Sequence, residues 1–343
     1  MAHQFHTSPE IIKEWTQAET FNELHITPPA QLVRRVNIGF NPVEQMAYGG
    51  VSFFEKTTPF AVALLEKINA DLAISMDLPV APCVMGVSKP QPTLISLGLF
   101  SETMSVVQGA YKELNLHGGD EEKLYDFARD RKMVFDIMRT EVKDDLHEKL
   151  KPYRSLLSEM LPFLLWARIH DPNLSNIIDR ADLIEAPTAD PQEHDNAYFI
   201  DLEGDAAILS NEFYPTAEWD NKTITSGDLD LILKDWLAEN LQVEETFDAK
   251  QVWNTVKKIE EMSDVDIRNE IDKAEVVTHR YGFLDKGQQE DILKGLLNIQ
   301  EMLIARRGQL GQVLFLLEKW WREAGFWFGD VCAVCLAKSV FRC

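Results

Sequence analysis

Ile169-His170-Asp171-Pro172-Asn173-Leu174-Ser175-Asn176-Ile177-Ile178, followed after a polar insert by Tyr198-Phe199-Ile200-Asp201-Leu202-Glu203, is the stretch on which the reading of this chain turns. The nearly apolar run Leu156–Ile169 ahead of it predicts a largely buried helix that Pro162 can kink or restart. Ile177-Ile178 and Tyr198–Ile200 flank an insert containing Pro187 and Pro191, which reads as a hairpin with a long loop. Asp171 and Asn176, five residues apart, then share the loop between helix and first strand, and Asp201 ends the second strand. Three oxygen-bearing side chains can converge there. Phosphoryl transfer needs such a set: a carboxylate to orient the attacking hydroxyl and accept its proton, and an Asn with an Asp to hold Mg²⁺ on nucleotide phosphates. Alone, Asp-x4-Asn is a weak signal, because helix caps use the same residue types.

Support lies upstream. Val33, Val36 and Ile38 predict one strand, the turn-prone stretch from Gly39 to Gly49-Gly50 a loop, and Val51–Lys56 a second strand. Thr58 is placed to cap a helix starting at Pro59, in which Ala61, Leu64, Leu65, Ile68 and Leu72 recur at helical spacing up to Met76. Lys56 thus closes a strand and Glu66 lies ten residues on in the next helix, where its carboxylate can steady a phosphate-binding ammonium. Asp77-Leu78-Pro79 ends that helix, and Thr93–Leu97 is the best of the short strands that follow. The first thirty or so residues, ending at Pro28-Pro29, read as a peripheral segment with one short helix.

Beyond the sheet-forming region the pattern becomes helical. Leu124, Phe127, Val134, Met138, Val142, Leu146 and Leu150 describe a long amphipathic helix. Further helical patterns lie near 228–240, 249–262, 265–279, 288–305 and 312–324. The expected fold class is α+β, a bilobal kinase-like arrangement with a small sheet-rich N-lobe and a larger helical C-lobe. Its units are a peripheral segment over 1–31, a nucleotide-binding lobe of sheet and helix over 32–105, and a helical lobe with the catalytic loop and a helical extension over 106–343.

Composition limits the partners. A length of 343 residues exceeds one domain of about 150 residues, and 26% charged with 45% hydrophobic residues is ordinary for a globular chain. No apolar run approaches the ~20 residues of a membrane span, so no membrane partner is expected. The N-terminus has no basic stretch followed by an apolar core, which makes the cytoplasm the expected compartment. A net charge of −22 argues against nucleic acid as a partner. Residues 182–248 hold 18 Asp or Glu against Lys222 and Lys234, an acidity that suits either solubility or the gathering of a cationic substrate. The His residues lack metal-binding spacing. Cys332 and Cys335 have no partner pair that would make a zinc or redox site, and read as packed thiols, while the tryptophans Trp320, Trp321 and Trp327 read as core or interface.

On these residues the chain resembles the protein-kinase-like superfamily in its atypical branches, the HipA-like kinases and the aminoglycoside or choline phosphotransferases. The resemblance covers roughly residues 32–215. Lys56, Glu66 and Leu78-Pro79-Val80 look like the strand Lys, helix Glu and Leu-Pro-Val turn of the HipA-like proteins, and Asp201-Leu-Glu203 looks like the Asp-x-Glu of the small-molecule enzymes. The resemblance implies that Lys56 contacts the α- and β-phosphates of ATP, Glu66 orients it, Asp171 acts as base, and Asn176 with Asp201 binds Mg²⁺. Gly49-Gly50 would be the phosphate-covering turn, although no Gly-x-Gly-x-x-Gly is present. His170 directly precedes Asp171, and neither Asp-Phe-Gly nor Ala-Pro-Glu occurs, which speaks against a conventional protein kinase. The expectation is an ATP-dependent phosphotransferase acting on a hydroxyl of a protein or of a small cationic molecule. The alternatives are a catalytically silent scaffold that binds a partner through its helical C-terminal third, and a nucleotidyl transferase on the same fold.

Overall fold

The computed structural model describes residues 7–25, 31–36, 43–48, 51–88, 91–100, 103–105, 153–169, 176–180, 196–203, 222–236, 247–312 and 315. Among them the fold is α+β, with the strands before residue 200 and most helix after it. Strands β1 (Gln31–Val36), β2 (Val43–Tyr48), β3 (Val51–Thr57), β4 (Cys83–Gly86) and β5 (Thr93–Leu97) form an antiparallel sheet in the order β1-β2-β3-β5-β4. The sequence pattern reads two strands around a loop over 32–56, but β2 occupies part of that loop and makes the region a three-strand meander. Its residues, Val-Glu-Gln-Met-Ala-Tyr, are only half-buried apart from Gln45, so they lack the apolar run that marks a covered strand.

Side chains alternate across the sheet. Phe53, Val84, Ile95 and Leu97 face one way, into an apolar cluster with Trp15 and Leu24. Met85 and Leu94 face the other way, toward the main core. That core is built on helix α2 (Phe60–Ser75), whose Ala63, Leu64, Leu65, Ile68 and Leu72 are all buried. A helix buried on every side, its Glu66, Lys67, Asn69 and Asp71 included, must lie between two layers. Accordingly α2 packs on β4 and β5 on one side and on a C-terminal helix on the other. Its capping position falls on Pro59 rather than Thr58. The backbone N–H of Thr58 donates to Pro92 O at 3.4 Å, extending the β3–β5 pairing, and its buried hydroxyl has no hydrogen-bond partner among the described residues.

The N-terminal segment is part of this construction. Helix α1 (Pro9–Gln17), capped by Ser8, buries Trp15 against Phe21 and Phe53. The chain then pairs with β4: Met85 N–H donates to Glu19 O at 3.1 Å, and Thr20 and Met85 form a parallel bridge. The outer edge of β4 is thereby covered over that length, which removes unpaired groups that would otherwise invite another strand.

Helix α3 (Arg154–Ala167) is the predicted buried helix and stays continuous through Pro162. It ends at Arg168, whose left-handed backbone (φ 57°) turns the chain. Strands β7 (Ile177–Arg180) and β8 (Tyr198–Phe199) pair antiparallel as the hairpin reading expects, and β6 (Thr103–Ser105) adds a third strand beside β7. Helices α4 (Ser226–Trp236), α5 (Ala249–Glu261), α6 (Asp264–Arg280) and α7 (Lys286–Arg307) follow the sequence windows. Asp248 caps α5, while Ser263 with Asp266 and Asp285 with Gln288 form capping boxes on α6 and α7. The long helix expected over 124–150 lies outside the described residues, as does nearly all of the helix expected over 312–324. No described helix is long and apolar enough to cross a membrane.

Candidate active site

Lys56 lies on β3, opposite Val43 of β2 and Leu94 of β5, so it occupies the middle of the sheet rather than an edge. It is an even position on a strand whose odd position Phe53 fills the outer cluster, and its side chain therefore leaves the sheet on the α2 face. There its ammonium is nearly buried and donates to Glu66 Oε2 at 3.1 Å, to Asp201 Oδ1 at 2.5 Å and to Glu203 Oε1. The three carboxylates come from two places in the chain: Glu66 from α2, and Asp201 with Glu203 from the segment just after β8.

Backbone pairing holds that segment. Phe199 N–H donates to Pro79 O at 2.8 Å and Ala81 N–H donates to Phe199 O at 3.2 Å, so the Leu78-Pro79-Val80 turn runs as a short parallel strand beside β8. Asn69 of α2 donates to Leu202 O at 2.9 Å. Asp201 itself adopts a left-handed backbone, φ 58°, which Asp tolerates better than most residues and which is a recurrent mark of functional positions. Asn176 reaches the same place from the start of β7: its carbonyl accepts from Ile200 N–H at 2.9 Å and its amide donates to Asp201 O at 3.4 Å.

Of the residues singled out in the sequence, Lys56, Glu66, Asn176 and Asp201 thus come together. Asp171, Gly49 and Gly50 lie outside the described residues. In the sequence Glu203 is only the last residue of Asp-x-Glu and carries no role of its own. The signal that finds it is the Asp-x-Glu pattern itself, since two carboxylates two residues apart can serve one cation.

The charge balance of the cluster is uneven. Burial works against the Lys56 ammonium, but Glu66, Asp201 and Glu203 outweigh it and hold its pKa above the ordinary lysine value. Burial and the neighbouring Asp201 push Glu66 above the usual carboxylate range, with Lys56 pulling the other way. Glu203 is raised for the same reasons. Three carboxylates against one ammonium, with burial and mutual repulsion disfavouring Glu66 and Glu203 as anions, make an acid-rich site. It has room for more positive charge. Carboxylate oxygens of Glu66, Asp201 and Glu203 lie within 4.8 Å of one another, and an all-oxygen donor set of this kind suits a hard divalent cation such as Mg²⁺.

No family model matches the sequence, and no curated protein matches it. Among solved structures, the crystal structure of a Helicobacter pylori proinflammatory kinase, CtkA, aligns over 86% of this chain and 98% of its own, at 10% identity and a TM-score of 0.36. A likeness at that level carries no argument, and the functional reading rests on the geometry above.

Proposed function

We propose that the protein is an ATP-dependent phosphotransferase that moves the γ-phosphoryl group of ATP to a hydroxyl acceptor. The observation that carries this reading is Lys56, buried in the centre of the sheet and paired at 3.1 Å with Glu66, with the carboxylates of Asp201 and Glu203 on the same ammonium. A Lys held on a strand by a helix Glu suits a phosphate-binding group, because the carboxylate fixes the ammonium where nucleotide oxygens can take over its hydrogen bonds. Asp201, Glu203 and Asn176 would hold Mg²⁺, which when bound supplies positive charge against the phosphate oxygens. Lys56 would contact the α- and β-phosphates and Gly49-Gly50 would cover them. Asp171 would accept the proton of the acceptor hydroxyl as the oxygen attacks, its carboxylate acting by position. Acidic residues around 182–248 favour a small cationic acceptor or a basic protein segment.

The test is incubation of the full chain with Mg²⁺ and either γ-labelled or α-labelled ATP, in the presence of a basic serine peptide, choline or an aminoglycoside. Transfer of the γ-label supports the reading, and transfer of the α-label would replace it with nucleotidyl transfer. No transfer or hydrolysis in either case would leave a scaffold. Asp171→Ala should abolish transfer with Mg²⁺·ATP binding retained, since a positioned base contributes about 100-fold or more and touches only the acceptor.

A further inference from the structure

Residue 67 follows Glu66 on α2 and is also charged, yet Lys67 points away from the site and is almost fully buried. Its ammonium donates to Asp71 Oδ2 at 2.5 Å, one turn along the helix, and lies 3.4 Å from Glu19 Oε2 of the N-terminal segment. Glu19 is mostly buried as well, and its other oxygen lies 3.9 Å from Lys273 of α6, which pairs with Glu270. The groups meeting here are Lys67 and Asp71 of α2, Glu19, the buried Cys83 thiol of β4, and Glu270 and Lys273 of α6. Glu19 is therefore the point where the N-terminal segment, α2 and α6 join. Its backbone is fixed independently through the pairing of Glu19 O with Met85.

A buried ion pair is a poor way to add stability, because an apolar pair of the same volume often does as well. What it supplies is direction, since a misplaced helix would leave a charge without its partner. Successive residues on a helix point about 100° apart, so a rotation or slide of α2 that breaks Lys67–Glu19 also moves Glu66 relative to Lys56. Resting on the reading of Lys56 and Glu66 given above, we infer that Glu19 is a positioning residue: through Lys67 it latches α2 in the setting that keeps Glu66 on Lys56. The N-terminal segment then supplies the registration of this helix.

The test compares the full chain with its Glu19→Gln and Glu19→Asp variants. Backbone exchange of residues 60–75 is followed by hydrogen–deuterium mass spectrometry, and the rate of Lys56 acetylation by acetic anhydride by peptide mass. Glu19→Gln should speed exchange in α2 and Lys56 acetylation by at least about threefold, the range expected for loss of one coupled charged contact. Glu19→Asp, which keeps the charge, should recover most of the difference. If the Glu19→Gln variant does not fold, the same two measurements on Lys67→Arg, which retains charge but alters the contact, decide the matter with the same expectation. Lys56 acetylation at the parental rate overturns the inference whatever α2 exchange does, because a contact that serves folding alone leaves the ammonium untouched. Faster acetylation with unchanged α2 exchange overturns it too, since Glu19 would then act by another route. Where the unmodified chain transfers label from γ-labelled ATP, Glu19→Gln should lower kcat with little change in KM for nucleotide. An unmodified chain that transfers nothing refutes the phosphotransferase reading, while exchange and acetylation still decide the latch.

Discussion

Replacing Lys56 with Met tests the charge balance of the site directly. The substitution keeps length and much of the packing but leaves Glu66, Asp201 and Glu203 without their shared cation. Removing one partner of a fully buried pair costs about 3–5 kcal/mol. Here only Glu66 is that deeply buried, at 5% exposure of its side chain, while Asp201 and Glu203 are 37% and 35% exposed and are relieved by solvent. A proton on Glu66 also caps the penalty. We therefore expect a loss of about 2 kcal/mol at pH 9.5. The sign of the pH dependence follows from Glu66, whose pKa burial raises already and which Lys56→Met raises further by removing the opposing charge. An acid with a folded-state pKa above its unfolded value binds more protons when folded, so its penalty grows as pH rises through that window; the two proteins diverge only above the unmodified chain's Glu66 value of about 8, where the variant alone keeps the proton. At pH 6.5, where Glu66 carries its proton in both proteins, the loss should shrink to about 1 kcal/mol or less. Urea unfolding of both proteins at pH 6.5 and pH 9.5 measures this, and added Mg²⁺ should restore part of the loss at pH 9.5. A loss that is equal at the two pH values would refute the picture of an anionic cluster neutralised by Lys56.

Asp201→Asn removes a charged oxygen from the proposed metal set, and calorimetry should show Mg²⁺·ATP affinity falling by about tenfold or more. Burial, opposed by Lys67, pushes Asp71 up to about 7, so carbon-detected NMR should find its carboxyl titrating near neutrality, and Lys67→Met should carry it higher. Arg306 is fully buried and donates to Leu165 O twice and to Thr223 O, so Arg306→Met should cost about 3–5 kcal/mol in denaturant unfolding by leaving these carbonyls and Asp228 undercompensated. Glu203→Gln should reduce the rise in melting temperature that Mg²⁺ produces, and an unchanged rise would remove Glu203 from the metal set.

The parts of this fold legible in the sequence are those written in local pattern. The ten-residue interval between Lys56 and Glu66 follows from a strand end and the first turns of a helix, and the pair Ile177-Ile178 with Tyr198–Ile200 marks its hairpin. Strand β2 is hidden because Glu44, Gln45 and Met46 pair through their backbones without a continuous apolar face. The three residues of β6 are too few to show any period. Contacts between distant segments leave no local trace. Lys67 and Glu19 are 48 residues apart, and within Glu-Lys-Ile-Asn-Ala-Asp the charged positions look like the wet side of a helix. Only the second layer over α2, supplied by α6 and the N-terminal segment, turns that side inward.

The backbone pairing of the Pro79–Ala81 turn with Phe199, together with the Asn69 bond to Leu202, has a mechanical meaning. These bonds form a short seam joining α2, and the turn that leads from it into the five-stranded sheet, to the segment that bears Asp201. A seam of two or three adjacent bonds resists sliding and separation but little resists twisting about its own line. If the sheet, with α2 attached, is to swing away from the other helices and release a bound molecule, the cheapest motion is rotation about this seam. Lys56 and Asp201 sit close to that axis and would change separation least, whereas residues at the far ends of β1 and β2 would sweep the largest arc.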